Sequence, residues 1–188
     1  MDQPLNPALI TSTKPLNLLV RTTNRRIALI ALLVVALDQL TKQIVLHFLS
    51  PGEEKLIIGG FFKFVYWKNT GAAWSLFRGN NELLAGVALL ALIVLFLNRH
   101  HFDSRTLLSQ VAFGMICGGI VGNLIDRLWA GHVIDFIYFY IELRDGAELG
   151  FPAFNIADSA ICTGVGLVFL ITWRSDHPVK PAAASPSK

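Results

Sequence analysis

The stretch FPAFNIADSAICTGVGLVFLITW, residues 151–173, decides how the rest of the chain is read. A proline stands near its start, and Asn155 and Asp158 lie three positions apart on the way into an apolar run. From Ser159 to Trp173 no residue is charged. Such a run reads as a membrane helix, which needs roughly 20 mostly apolar residues. An ionisable carboxylate at the mouth of a membrane helix is costly, and groups of that kind are functional candidates by default.

Composition agrees with a membrane setting. The chain has 188 residues, 53% of them hydrophobic and 15% charged, with a mean hydropathy of +0.53. Soluble domains carry about 25% charged residues. A pI near 9.0 is weak evidence for nucleic acid, since basic loops on the cytoplasmic side of a membrane produce the same excess. No nucleic-acid partner is expected. Cys117 and Cys162 both fall inside apolar runs and read as small hydrophobes. The histidines show no pair at helical ligand spacing, so no metal site is expected.

Three more apolar runs join the first, at residues 27–49, 83–97 and 106–125, and the fourth is placed at 153–173. Arg25 and Arg26 precede the first run, but no small-residue cleavage site follows it, so it reads as a retained helix. Four spans put both termini on one side. Lys14, Arg21, Arg25, Arg26, Arg99, Arg105, Arg174, Lys180 and Lys188 all fall on that side, against Asp2, Asp103 and Asp176. The positive-inside rule then places both termini in the cytoplasm.

The expected organisation is a flexible segment at 1–24, a membrane domain at 25–174 with outer loops at 50–82 and 126–152, and a disordered tail at 175–188. LIIGGFFKFVYW, residues 56–67, reads as strand, Gly-Gly turn, strand. HVIDFIYFYIEL, residues 132–143, is β-branched and aromatic and also strand-like. The fold class expected is therefore an all-α membrane protein of four transmembrane helices with a small outer sheet. Phe61, Trp67, Trp74 and Tyr138 suit an interfacial platform.

The polar residues in this apolar frame carry the functional reading. Asp38 and Lys42 are i, i+4 in the first span, a spacing that lets them pair, either structurally or to position substrate. Gly114, Gly118 and Gly122 recur every four residues in the third span and suit close helix packing. Asn123 and Asp126 share a face at the end of that span, with Arg127 adjacent to hold Asp126 ionised. Asp135, in a strand with Val133 and Ile137 on its own face, has few polar neighbours in sequence, which raises a carboxyl pKa. Asp158 follows Asn155 by one helical turn. Two carboxylates sharing a proton can activate water for amide hydrolysis. Asp135 with Asp158 is preferred to Asp126 with Asp158, because Arg127 occupies Asp126. NTGAAWSLF, residues 69–77, reads either as a turn with close backbone packing or as a site where Asn69 bonds a peptide backbone. Ser75, Ser109 and Ser159 lack a recognisable base partner.

DQLTK (38–42), NTGAAWSLF (69–77), GGIVGNLIDR (118–127), VIDF (133–136) and FPAFNIADSAI (151–161), in this order on a four-helix frame, resemble the bacterial lipoprotein signal peptidase family (signal peptidase II). The resemblance spans about residues 25–174. It implies an aspartyl endopeptidase of the bacterial inner membrane, with four helices and an outer β-cradle. Its substrates would be prolipoproteins, cut before a diacylglyceryl-modified cysteine at the outer leaflet. It implies Asp135 and Asp158 as the catalytic pair, with Asn69, Asn123, Arg127 and Asn155 lining the site. Asp38 and Lys42 match the first-helix block, and Asp126 is expected to support the site by fixing Arg127. No cofactor is implied. Membrane lipids are the expected surroundings and a monomer the expected state. RDGAELG, residues 144–150, is longer than the family pattern and is expected to alter the rim of the site. The alternative reading is a small proton- or ion-coupled transporter, although the carboxylates gather on one side instead of stepping across the bilayer.

Overall fold

A computed structural model of the chain describes residues 14–71, 77, 79–99 and 106–176. These form α1 (Lys14–Phe48), β1 (Glu54–Ile58), β2 (Phe62–Asn69), α2 (Asn81–Leu97), α3 (Leu107–Trp129), β3 (Val133–Glu142), β4 (Glu148–Gly150) and α4 (Ile156–Asp176). Among the described residues, three helices are long and apolar enough to cross a membrane, namely α1 over Thr23–Phe48, α3, and α4 over Ile156–Arg174. The fourth, α2, is apolar but has only 17 residues. Residues 14–24 are helical, where the sequence suggested a loose segment. The expected tail lies almost wholly outside the described residues, as do Trp74 and Ser75.

Lipid tails are as apolar as leucine, so membrane helices associate through close packing and polar contacts rather than hydrophobic drive. The leucines of α1 at positions 29, 32, 33 and 40 are correspondingly exposed on its outer face. The small residues of α3 do the packing. A side chain at Gly118 would meet the Ala31 carbonyl of α1, and one at Gly119 would lie 2.5 Å from the Ala157 carbonyl oxygen of α4. Thus α3 sits between α1 and α4, and its glycines serve both neighbours.

The four strands make one antiparallel sheet in the order β1-β2-β3-β4. Val45 and Leu49 at the end of α1 pack against Tyr66, Ile134 and Phe136, which anchors one face of the sheet to the helices. The Arg144–Gly150 stretch is not a plain loop: it folds back as β4 onto β3.

β3 is irregular at its centre, and this changes the parity of its side chains. The N–H groups of Phe136 and Ile137 both donate to the Phe154 carbonyl, at 3.1 and 2.9 Å. Two successive donors on one acceptor mark a bulge, which leaves one residue out of the ladder and re-aims the side chains beyond it. Ile137 packs with Phe136 on the helix-facing cluster, while Tyr138 and Tyr140 join Val65 on the other. Asp135 and Tyr138 consequently border the same cavity.

Gly119→Ala is expected to lower the thermal stability of the purified protein in detergent by about 1–3 kcal/mol through overpacking against Ala157. Gly166→Ala, on an open part of α4, should leave the melting temperature unchanged or raise it.

Candidate active site

Asn155 and Asp158 cap α4 reciprocally. The Asp158 N–H donates to Asn155 Oδ1 at 2.9 Å, and the Asn155 N–H donates to Asp158 Oδ2 at 3.2 Å. This is a capping box with Asn at the N-cap and Asp at the third helical position. It satisfies two backbone donors that the first turn of a helix leaves open. The third donor of that turn, the Ala157 N–H, goes to Asp38 Oδ1 of α1 at 2.9 Å. The Asp158 carboxylate is therefore held rigidly at a helix N-terminus, where the dipole favours negative charge.

Asp135 reaches the same place from β3. Asn155 Nδ2 donates to its Oδ1 at 3.0 Å, and Asn69 Nδ2 donates to its Oδ2 at 2.8 Å. Asn155 thus holds both carboxylates, one through its side chain and the other through its backbone. Asp135 is only 4% exposed. Burial, and next the Asp158 charge, push its pKa up to about 7 against the opposing pull of Asn69, Lys42 and Asn155. The reason given by sequence is corrected in part. Ile137 is not a same-face neighbour, because the bulge intervenes, and two amides reach the carboxyl from outside the strand.

Asn123 completes the arrangement. Its Nδ2 donates to Asp158 Oδ1 at 2.7 Å. Its Oδ1 accepts from Lys42 Nζ at 3.2 Å and from Asn155 Nδ2 at 3.1 Å. An amide whose oxygen faces an ammonium must turn its NH2 the other way, so Lys42 fixes the end that Asn123 offers to Asp158.

Behind Asn123 lies a buried ion cluster. Lys42 Nζ pairs with Asp38 Oδ2 and with Asp126 Oδ2, both at 2.7 Å, and both Lys42 and Asp38 are fully buried. The i, i+4 pairing expected in α1 is present. Asp126 has a different role from the one expected. Its ion-pair partner is Lys42, and its carboxylate also accepts from Gln39 Nε2 at 2.9 Å and from the Ile134 N–H at 3.2 Å. Arg127 turns instead to the Gly71 carbonyl, at 2.8 Å, and to Asn81 Oδ1, at 3.3 Å. Asp126 lies outside the cavity lining for a better reason than the one sequence supplied.

A cavity of about 1210 Å³ brings Asn69, Asn123, Arg127, Asp135 and Asp158 together, walled by Trp67 and Tyr138 of the sheet. Trp67 and Tyr138, expected at the membrane interface, line this cavity, while Phe61 is exposed. Asp38, Lys42 and Asp126 stand behind the site. Two supporting residues escaped the sequence reading. Gln39 links Asp38, Asp126 and the Gly122 carbonyl, and its place inside DQLTK is the only signal it gave. Asn81, the first residue of α2, exchanges hydrogen bonds with Arg127, and nothing in the sequence around it marks it.

Two carboxylates, Asp135 buried and Asp158 half-buried, are braced by amides at the mouth of a frame of apolar helices, an arrangement of the kind aspartic-hydrolase chemistry requires. The family model for signal peptidase (SPase) II matches residues 30–174. A lipoprotein signal peptidase of Symbiobacterium thermophilum is 40% identical over 141 residues, 75% of this chain and 90% of that protein. One of Bacillus subtilis is 39% identical over 144 residues, 76% and 89% of the two chains. A solved bacterial membrane enzyme superposes with a TM-score of 0.72 at 31% identity, covering 88% of this chain and 96% of its own. The chain belongs to the signal peptidase II family, and it is an aspartic peptidase.

Lys42→Met should leave Asp38 and Asp126 buried without their counter-ion. Removing one partner of a buried cluster costs about 3–5 kcal/mol, so denaturant or thermal unfolding in detergent should show a loss of that size.

Proposed function

We propose that Asp135 and Asp158 are the catalytic pair with which this chain removes signal peptides from prolipoproteins, cutting before a diacylglyceryl-modified cysteine. The observation that carries the assignment is Asn155, which holds both carboxylates toward one cavity. In the proposed step Asp158, ionised, takes a proton from a water whose oxygen attacks the scissile carbonyl carbon. Asp135, protonated, gives its proton to the carbonyl oxygen. As the tetrahedral intermediate collapses, one of its hydroxyls returns a proton to Asp135, the C–N bond breaks, and the proton held by Asp158 passes to the leaving amine. The proton count closes without a cofactor. The donors on each carboxylate hold both groups in place while the charge moves between them, and such preorganisation is the main source of electrostatic catalysis.

The same reading places all four helices across the bacterial inner membrane, including the short α2, since about 17 residues is the lower limit for a span. Both termini lie in the cytoplasm, the sheet rests at the outer leaflet, and a monomer is sufficient. A cavity of about 1210 Å³, larger than the roughly 300–1,000 Å³ usual for small-ligand sites, suits a peptide that carries a lipid. The terminal segments before residue 25 and after 174 are assigned no part in the chemistry.

Cleavage of a diacylglyceryl-modified prolipoprotein in detergent tests the assignment. Asp135→Asn and Asp158→Asn should each lower kcat by at least about a thousandfold, the scale of lost acid–base function. Asp126→Asn should retain turnover in proportion to its folded fraction. An active Asp135→Asn beside an inactive, folded Asp126→Asn would overturn the pair. The pH profile follows from Asp135. The active dyad carries one proton, so kcat/KM should fall as pH rises through about 7 and that proton is lost. A rate that keeps rising above that point contradicts the assignment.

A further inference from the structure

A charged cluster lies on the cavity side of the sheet, away from the aspartate pair. Lys63 of β2 is 6% exposed. Its ammonium pairs with Glu54 of β1 at 2.6 Å and with Glu148 of β4 at 2.7 Å. It also lies 5.3 Å from the Tyr138 ring centroid and 4.8 Å from that of Tyr140, both on β3. The cluster therefore takes at least one group from each of the four strands. Glu148 comes from the 144–150 stretch, and without it β4 would have no ionic tie to the sheet.

The cluster is coupled to the cavity wall. Tyr138 lines the cavity and packs at a tilt against Trp67, ring centroids 4.8 Å apart, and Trp67 lines it as well. Gly150, at the end of β4, lies so close to the Tyr138 ring that a Cβ there would overlap it. Docking of β4 through Glu148 thus fixes the wall formed by Tyr138, Gly150 and Phe151. Two glutamates against one lysine leave one negative charge in excess. The glutamate side chains are 39% and 40% exposed, so their field reaches the solvent beside that wall. Lys68, also bordering the cavity, and Arg127, beside Asp158, are the cations nearer the cut.

Position along the strand indicates what this wall meets. Trp67 is opposite Asp135, and Lys63 lies four residues back along β2, about 13 Å away at about 3.3 Å per residue. An extended peptide leaving the aspartates along the sheet spans that distance in about four residues. The apolar half of a signal peptide has to return to the bilayer, so the half on the other side of the cut is the one that can lie over the sheet.

We propose that Lys63, Glu54 and Glu148 form a specificity-determining cluster for the residues following the cut, disfavouring acidic side chains about four positions after it. The proposal rests on the peptidase reading above. It is tested with the full chain in detergent and two diacylglyceryl-modified prolipoproteins, identical except for a serine or an aspartate run directly after the modified cysteine. The native chain should cut the serine substrate several-fold better in kcat/KM. The gap should lie in KM and shrink as salt is raised, because partly exposed charges are screened. Glu148→Gln keeps a hydrogen-bonding partner for Lys63 and removes the excess charge. It should improve the aspartate substrate more than the serine one and narrow the ratio, and Glu54→Gln should act likewise from the opposite strand. Equal cleavage of both substrates by the native chain overturns the proposal, as does a ratio that neither substitution changes. No cleavage of the serine substrate would instead overturn the peptidase reading, and the proposal with it.

Discussion

One buried ammonium organises this molecule. Lys42 is fully buried, and its charge is tolerable because Asp38 of α1 and Asp126 of α3 face it at 2.7 Å. The remaining oxygen of Asp38 takes the Ala157 N–H and so fixes the start of α4. Gly122 leaves room for this, since a Cβ there would lie 2.7 Å from the Asp38 carboxylate. A buried ion cluster is poor evidence for net stability, because desolvating the charges offsets much of their attraction. What it supplies here is registration: α1, α3 and α4 can meet in only one way that leaves none of its groups unpaired.

The candidate site depends on that registration. With the lysine fixed, Asn123 can face only one way, and with α4 fixed, the capping box presents Asp158. The helix cap and the proposed catalytic base are the same carboxylate. Asp135 arrives independently from a sheet held to α1 by Val45 and Leu49. Asn155 joins the two: its side-chain oxygen accepts from the Asp158 N–H of α4, and its NH2 donates to Asp135. Burial and the nearness of a second carboxylate then work in one direction, so that Asp135 titrates near neutrality while its partner sits at a helix N-terminus.

Much of this was legible in the sequence for identifiable reasons. Apolar length revealed the helices, and i, i+4 spacing revealed the Asp38–Lys42 pair. The glycine stripe of α3 announced close packing, and carboxylates in apolar company announced the site. Features that depend on long-range geometry were not legible. The partner of Asp126 lies 84 positions away on another helix, so the adjacent Arg127 was the natural but mistaken choice. The bulge at Phe136 and Ile137 comes from a carbonyl supplied by residue 154. It reverses the parity that simple strand alternation assumes and turns Tyr138 toward the cavity. Asn81 gave no signal because its role exists only once α2 and α3 are side by side. Residues 144–150 stood out as an extension, but their pairing with β3 and the tie from Glu148 to Lys63 required the folded sheet.

The proposed chemistry turns on Asp135 carrying the shared proton of the pair near neutral pH. Infrared difference spectroscopy of the carboxylic C=O stretch, from about pH 5 to about pH 9, reads this directly, because ordinary carboxyls near pH 4 are already ionised across that range. The native chain should show a protonated-carboxyl band that disappears with a midpoint near pH 7 and is absent from Asp135→Asn. A band that persists unchanged in Asp135→Asn, or its absence from the native chain throughout the range, would contradict that role for Asp135.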